Sequence, residues 1–386
     1  MKKALVILIL LAFVGGGLFA QTFAWSGLIE AAVGAISRDA DEEVGFGLLT
    51  PGTPDLANLW GRLALNYTHA DGNSGAVFFI EHYGTPVASN VATNIYFARA
   101  YGWFKMFDGF AEFQAGPRTW DRHINPQLVH TTSHIISTAP GVMAHIFPTD
   151  MLTFGFGVFA RGSLDEPIGA ILNATPWEDN PLRLYFGFRA NVPGTVDIRG
   201  QLDYQGDAGG THAWLSASTN AVQDIPITVG AILTNLNDFG DTGRISANAQ
   251  VGLNMIDNLA LNFGLGVSNS NVENTDLGFM LGTWLTYTVT DMVSPRIAIF
   301  YSQAADYGWA VADTFPWTYM RPAAYTHNGD QSYVGISPRL RLIQRSNNYL
   351  EFGAQINLDL GDVPISGSTA DQNMSWHVFA TVHASF

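Results

Sequence analysis

His130 and His134 are spaced i, i+4, so one helical turn would put both imidazoles on one face, a spacing that can hold a metal ion. No Glu follows the first His as a zinc-protease motif requires, and no third ligand is obvious. A polar role facing water is the better reading, and imidazoles gain charge as pH falls through about 6.5. Ser, His and Asp are all present, but no G-x-S-x-G elbow joins them. Phosphate-binding G-x4-G-K-[ST] loops and basic nucleic-acid patches are absent too. With no cysteine, disulfides and thiolate metal sites are excluded. The sequence reading therefore expects no enzyme, no cofactor, no metal site and no nucleic-acid partner.

The arginines carry a stronger signal. Arg62, Arg99, Arg183, Arg189, Arg199, Arg244, Arg296, Arg339 and Arg341 fall on the polar side of stretches that alternate in polarity. In Thr195–Gln205, for example, Val196, Ile198, Leu202 and Tyr204 share a face with Gly200, and Asp197, Arg199, Gln201, Asp203 and Gln205 share the other. Acids on such faces are fewer, Glu112, Asp197 and Asp203 being the clearest. Most others sit between the alternating stretches, among them Asp39, Asp41, Glu42, Glu43, Asp306, Asp313, Asp330, Asp362 and Asp371. The whole chain has a formal charge of −15, yet the polar faces are basic. Arginine rings favour anions. A water-filled pore with a basic wall and a weak anion preference is one expectation. In the competing one, these arginines pair with loop acids and leave no net field.

The elements that must position these residues are strands. Residues 1–20 read as a cleaved secretory signal peptide: Lys2 and Lys3, an apolar run from Ala4 to Val14, then Gly15, Gly16 and Gly17, and Leu18-Phe19-Ala20 with a small residue at the cleavage point before Gln21. Removing them takes two positive charges and moves the formal charge from −15 to −17. Lys105 is then the only lysine left. The chain is mildly hydrophobic (mean hydropathy +0.11), only 13% charged, and rich in Gly and aromatics. Beyond the signal no stretch approaches the length of a spanning helix. Exported, apolar on average and without such a helix, residues 21–386 read as a single all-β domain: a transmembrane antiparallel β-barrel of the bacterial outer membrane, in contact with its lipid.

Period-two alternation predicts strands near 22–36, 59–69, 76–83, 94–105, 110–116, 151–161, 167–175, 182–190, 195–205, 211–221, 226–236, 244–254, 258–268, 277–289, 294–303, 332–345, 348–360 and 373–386. Short connections alternate with long ones such as 37–58, 117–150, 304–331 and 361–372. Bacterial barrels join an even number of strands by tight periplasmic turns and longer external loops. The count stays open between 16 and 18, because Pro148–Met151 and Trp177–Asn180 look like short turns on the long-loop side. Trp25, Trp60, Trp103, Trp214, Trp284 and Trp376 are candidates for aromatic girdles at the membrane interfaces.

Residues 99–118, RAYGWFKMFDGFAEFQAGPR, resemble a hairpin of the general diffusion porins, trimeric bacterial outer-membrane channels. Arg99, Ala100, Tyr101, Lys105, Gly109, Gly116 and Arg118 follow that family's pattern in order, though without the spacer after the first Arg. The resemblance implies a homotrimer and a loop, here 117–150, folded into the barrel to narrow the pore. It also implies that the terminal Phe386 is read by the barrel-assembly machinery. Family constriction loops are acidic, whereas this one carries Arg118, Arg122, His123, His130, His134 and His145 against Asp121 and Asp150, so cation selectivity does not carry over.

Passive diffusion of small hydrophilic solutes or ions is the leading expectation. A barrel of this size leaves an aqueous channel. A channel selective for saccharides or anions and a structural or adhesive surface protein are the alternatives. The aromatics of 304–331 would serve the former, although an external loop packing on itself is the simpler account of them.

Overall fold

The structure, a computed structural model, describes residues 22–37, 44–50, 53–56, 59–84, 94–119, 121–124, 139–160, 182–204, 210–222, 224–238, 243–270, 278–304, 331–345, 348–360 and 374–385. Among these residues twenty strands form one sheet. They are β1 (Thr22–Ser37), β2 (Val44–Thr50), β3 (Thr53–Leu56), β4 (Leu59–Thr68), β5 (Ser74–Gly84), β6 (Asn94–Met106) and β7 (Ala111–Thr119). Then come β8 (Ala139–Thr149), β9 (Leu152–Ala160), β10 (Leu182–Val192), β11 (Val196–Tyr204), β12 (Thr211–Thr219), β13 (Ile227–Thr234) and β14 (Arg244–Ile256). The last are β15 (Leu259–Ser270), β16 (Gly278–Tyr287), β17 (Val293–Ala304), β18 (Gln331–Arg345), β19 (Asn348–Asp359) and β20 (Met374–Ser385).

Every strand from β4 to β20 pairs antiparallel with the next. β1 completes the circuit, pairing with β4 through Thr22–Glu30 and with β20 through Leu28–Ile36. The circuit holds eighteen strands, and β2 and β3 form a side hairpin against the far half of β1. A closed sheet leaves no edge of unpaired backbone, which a strand structure in lipid requires.

The sequence pattern missed one wall strand. The expected strand 167–175 lies outside the described residues, and β9 pairs directly with β10. The missed strand is β8, within the segment expected to be loop. Its outward face carries Val142 and Ala144, and its other face carries Met143, His145 and Phe147. Both faces are largely apolar, so the alternation that reveals the other strands is absent here. With β8 in the wall, the turn at 150–151 joins the other short connections, such as 107–110, 193–195 and 257–258.

Burial is inverted relative to a water-soluble sheet. Phe113, Val142, Phe156, Leu184, Leu202, Leu215, Phe263, Leu281, Ile299, Phe352, Val378 and Val382 are exposed, Leu215 and Val382 by 52% each. Glu112, Gln114, His145, Arg183, Gln201, Asp203, Ser216, Asn248, Arg339, Glu351 and Gln355 are buried on the opposite face. Moving each large apolar side chain out of water is worth about 1.5–3 kcal/mol, so an outer face carrying this many of them is costly to leave in water. Trp25 is exposed, but Trp103, Trp214 and Trp284 are buried on the inward face and do not belong to an interfacial girdle. Trp103 and Trp214 are followed by the outward-facing Phe104 and Leu215, and an aromatic ring by itself does not say which way it points. Phe379, the residue that breaks the alternation of the last strand, also points inward, with the Arg339 guanidinium 5.2 Å over its ring.

Two glycines of the porin-like hairpin have local reasons. Gly109 takes φ +88° in the turn after Phe107 and Asp108, which also have positive φ. Gly116 passes so close to β6 that a Cβ would lie 2.6 Å from the Tyr101 Cα and press on the Ala100 carbonyl.

Candidate pore wall and inward segment

β7 ends at Thr119, and the chain then turns onto the inner face of the sheet. Asp121 makes the turn: its Oδ1 accepts from the backbone N–H groups of His123 and Ile124, each at 2.8 Å. The same carboxylate is held by the wall, by the His145 Nε2 of β8 at 3.0 Å and by the Tyr185 hydroxyl of β10. Asp121 is fully buried. Burial pushes its carboxyl up, but the adjacent His145 and the hydrogen bonds from Tyr185 and the Ile124 N–H outweigh this and hold it below the usual range. Ile124 follows, fully buried in one apolar cluster with Met143, Phe159, Tyr185, Trp214 and Ile232, which come from five different strands. Gln201 Nε2 donates to the Ile124 carbonyl at 2.7 Å, and the Trp214 indole N–H donates to Gln201 Oε1. A four-residue segment that touches this many strands lies inside the barrel.

Glu112 sits beside this segment. Its Oε1 accepts from Gln114 Nε2 at 3.0 Å and faces His123 Nε2 at 3.0 Å. Arg122 Nε is 3.7 Å from it, with the guanidinium 4.3 Å over the Trp103 ring. The His123 ring stands edge-on to His145 at 4.7 Å and to Phe147 at 4.9 Å.

The arginines form three further groups. On β10 and β11, Arg183 Nε donates to Asp203 Oδ1 at 2.6 Å. Nearby, Arg189 and Arg199 share Asp197, with nearest contacts of 2.9 and 2.6 Å. On β17 to β19, Arg296, Arg339 and Arg341 converge on Glu351 at 3.6, 3.4 and 2.9 Å. Arg341 also lies 3.6 Å over Tyr349, and Arg99 lies 4.5 Å over Phe79. Each buried carboxylate offsets the desolvation of its arginines. In these three groups six guanidinium groups face three carboxylates. Asp203, Asp197 and Glu351 themselves stand on wall strands.

The structure therefore brings Glu112, Arg122 and His123 together. It gathers Arg189 and Arg199 on Asp197, sets Arg183 on Asp203 further along the same two strands, and gathers Arg296, Arg339 and Arg341 on Glu351. Arg62 lies on β4 opposite Leu28 and Glu81, Arg118 on β7 opposite Ala100, and Arg244 on β14 opposite Thr234 and Ser270. Their side chains, and all of His130, His134 and Phe386, lie outside what is described. Sequence reasoning missed Glu351, although it alternates with Phe352 and shares the face of Gly353 and Gln355. It also missed the roles of Tyr185, Gln201 and His145. No periodicity reveals those, because their partners lie far away in the chain.

No family model matches the sequence, and no curated protein matches it. Solved structures do. A BenF-like porin from Pseudomonas fluorescens Pf-5 superposes with a TM-score of 0.58 at 9% identity, covering 94% of this chain and 98% of that one. The fold is that of the outer-membrane porins. A second porin of this fold, OccK2 (OpdF) of Pseudomonas aeruginosa in complex with glucuronate, has a TM-score of 0.57 at 9% identity over 94% of this chain and 98% of its own. The anion-selective porin from Comamonas acidovorans has a TM-score of 0.53 at 12% identity over 95% and 100%.

Proposed function

We propose that the chain is a channel of the bacterial outer membrane that passes small hydrophilic solutes by passive diffusion, with a weak preference for anions. The observation that carries this reading is the inner wall, where Glu351 answers three arginines and Asp197 two. A positive excess on the wall raises the local concentration of anions. The outer belt of exposed apolar side chains fits lipid, and Phe386 fits a signal read during assembly. The inward segment at 121–124 supports a loop that narrows the lumen. The test is the reversal potential of the purified channel in a planar bilayer under a salt gradient. An anion-selective sign is expected; a cation-selective sign would overturn the preference, and absence of conductance would overturn the channel.

A substrate-selective channel is the second reading. It is favoured by the rings that back the arginines, Tyr349 beneath Arg341 and Phe379 beneath Arg339. Competition between chloride and organic carboxylates in single-channel recordings separates the two: a carboxylate that blocks chloride current at low concentration favours selectivity.

A further inference from the structure

The inward segment meets the wall at a group of donors that the channel reading does not use. Glu112, His123 and His145 each offer one ligand atom, and these atoms lie within 4.8 Å of one another. Glu112 and His145 are fully buried, and His123 is partly open to the inside. Two polar atoms there have no hydrogen-bond partner: Glu112 Oε2 and His145 Nδ1. Buried polar groups are normally satisfied, and one left without a partner costs about 1–3 kcal/mol. Two of them on two members of one cluster mark a place built for something else.

We infer that Glu112, His123 and His145 form a site for one divalent transition-metal ion of the zinc class, which ties the inward segment to the β7–β8 wall.

Two imidazoles and one carboxylate are the donor set that suits zinc, copper or nickel and not magnesium or calcium, which take oxygen ligands. Tetrahedral zinc, with bonds of about 2.0–2.1 Å, holds its ligand atoms roughly 3.3 Å apart. The pair Glu112 Oε1 and His123 Nε2 is already at 3.0 Å. Each of the three residues offers a ligand atom within 4.8 Å of those of the other two, close to a tetrahedral set of roughly 3.3 Å. His145 is also oriented in the way metal-bound histidines are. Its Nε2 faces the Asp121 carboxylate at 3.0 Å, which leaves Nδ1 as the nitrogen for a metal. A histidine that ligates through one nitrogen commonly gives its other N–H to a carboxylate. Asp121 is held in turn by Tyr185. A fourth position would face the lumen and take water. Arg122 opposes a cation here, with its Nε 3.7 Å from Glu112, but it is exposed and rests on the outside of the cluster against Trp103.

The test uses the full mature chain, untagged and folded in detergent. It is incubated with Zn2+, freed of excess by gel filtration and analysed for metal content. Co2+ serves as a second probe, since its visible absorption reports tetrahedral nitrogen and oxygen ligation. One metal per chain and a tetrahedral Co2+ band are expected. Glu112→Gln and His123→Gln keep size and hydrogen-bonding capacity, and folding is checked by the heat-dependent gel shift of a closed barrel. Both should weaken binding by more than the roughly 10- to 100-fold that loss of an outer-shell partner costs, and Asp121→Asn should fall within that range. Arg122→Gln should bind more tightly than the unaltered chain. No retained metal, or equal metal in the folded Glu112→Gln and His123→Gln chains, would overturn the site. So would binding that is lost only when His130 and His134 are replaced.

Discussion

The Tyr185 hydroxyl on β10 donates to the Asp121 carboxylate, 64 residues earlier in the chain. That bond ties the inward segment to a strand three places along the wall from β7. Tyr185→Phe removes the donor and leaves a buried acceptor, at a cost of about 1–3 kcal/mol. The 121–124 segment should open roughly tenfold more often, because 1.4 kcal/mol is a factor of ten in an equilibrium constant. Single-channel current noise and backbone hydrogen exchange at 121–124 read this directly. Unchanged values in both would show that the latch does not hold the segment.

The latch also has a pH dependence with a definite sign. The Asp121 carboxyl lies below its ordinary value of 3.8 in the folded chain. Its contribution to stability is therefore complete above about pH 3.8 and is lost as pH falls through the lowered value. Current noise in the unaltered channel should rise at that acid extreme and approach the noise of Asp121→Asn. A difference between the two that stays constant until the barrel itself unfolds in acid would contradict this.

Glu351 is the acid on which three arginines converge, and it is 1% exposed. Glu351→Gln leaves Arg296, Arg339 and Arg341 without it, so the reversal potential should move further toward anions. Stability should fall, since breaking a buried ion pair costs about 3–5 kcal/mol. Arg341→Gln, at the less buried end of the cluster, should move the potential the opposite way with a smaller loss of stability. Two shifts of the same sign would disprove the charge argument.

Gly116 lies against the backbone of β6, where no side chain can move aside. Gly116→Val should break the β6–β7 ladder and reduce folded barrel in the membrane several-fold. The heat-dependent gel shift measures it, and full folding of the variant would remove the steric reading.

Phe386 follows β20, the strand that closes the circuit with β1. Deleting it should lower the amount of barrel in the outer membrane while leaving the conductance of inserted channels unchanged. Normal insertion would sink its reading as an assembly signal.

Much of the architecture is legible in the residues. Where one face is apolar and the other polar, as in Val196–Tyr204 or Leu182–Val192, the alternation marks both the strand and its inward side. The arginines of β10, β11, β17 and β18 follow from that alone. Legibility fails where the two faces resemble each other. β8 is hidden because Met143 and Phe147 face in while Val142 and Ala144 face out. Trp103, Trp214 and Trp284 read as girdle residues because an aromatic ring is at home in an interface and equally in a packed lumen.

The sequence by itself determined that this is a β-structure with arginines on the polar face of its strands, since polarity repeating every second residue is a local property of the chain. Only the tertiary structure decided what those arginines pair with. It alone brought Asp121 to Tyr185 and His145, and Glu351 to three arginines on neighbouring strands. Register across a barrel is set by the packing of all its strands at once, and no local pattern encodes which distant charges it brings together.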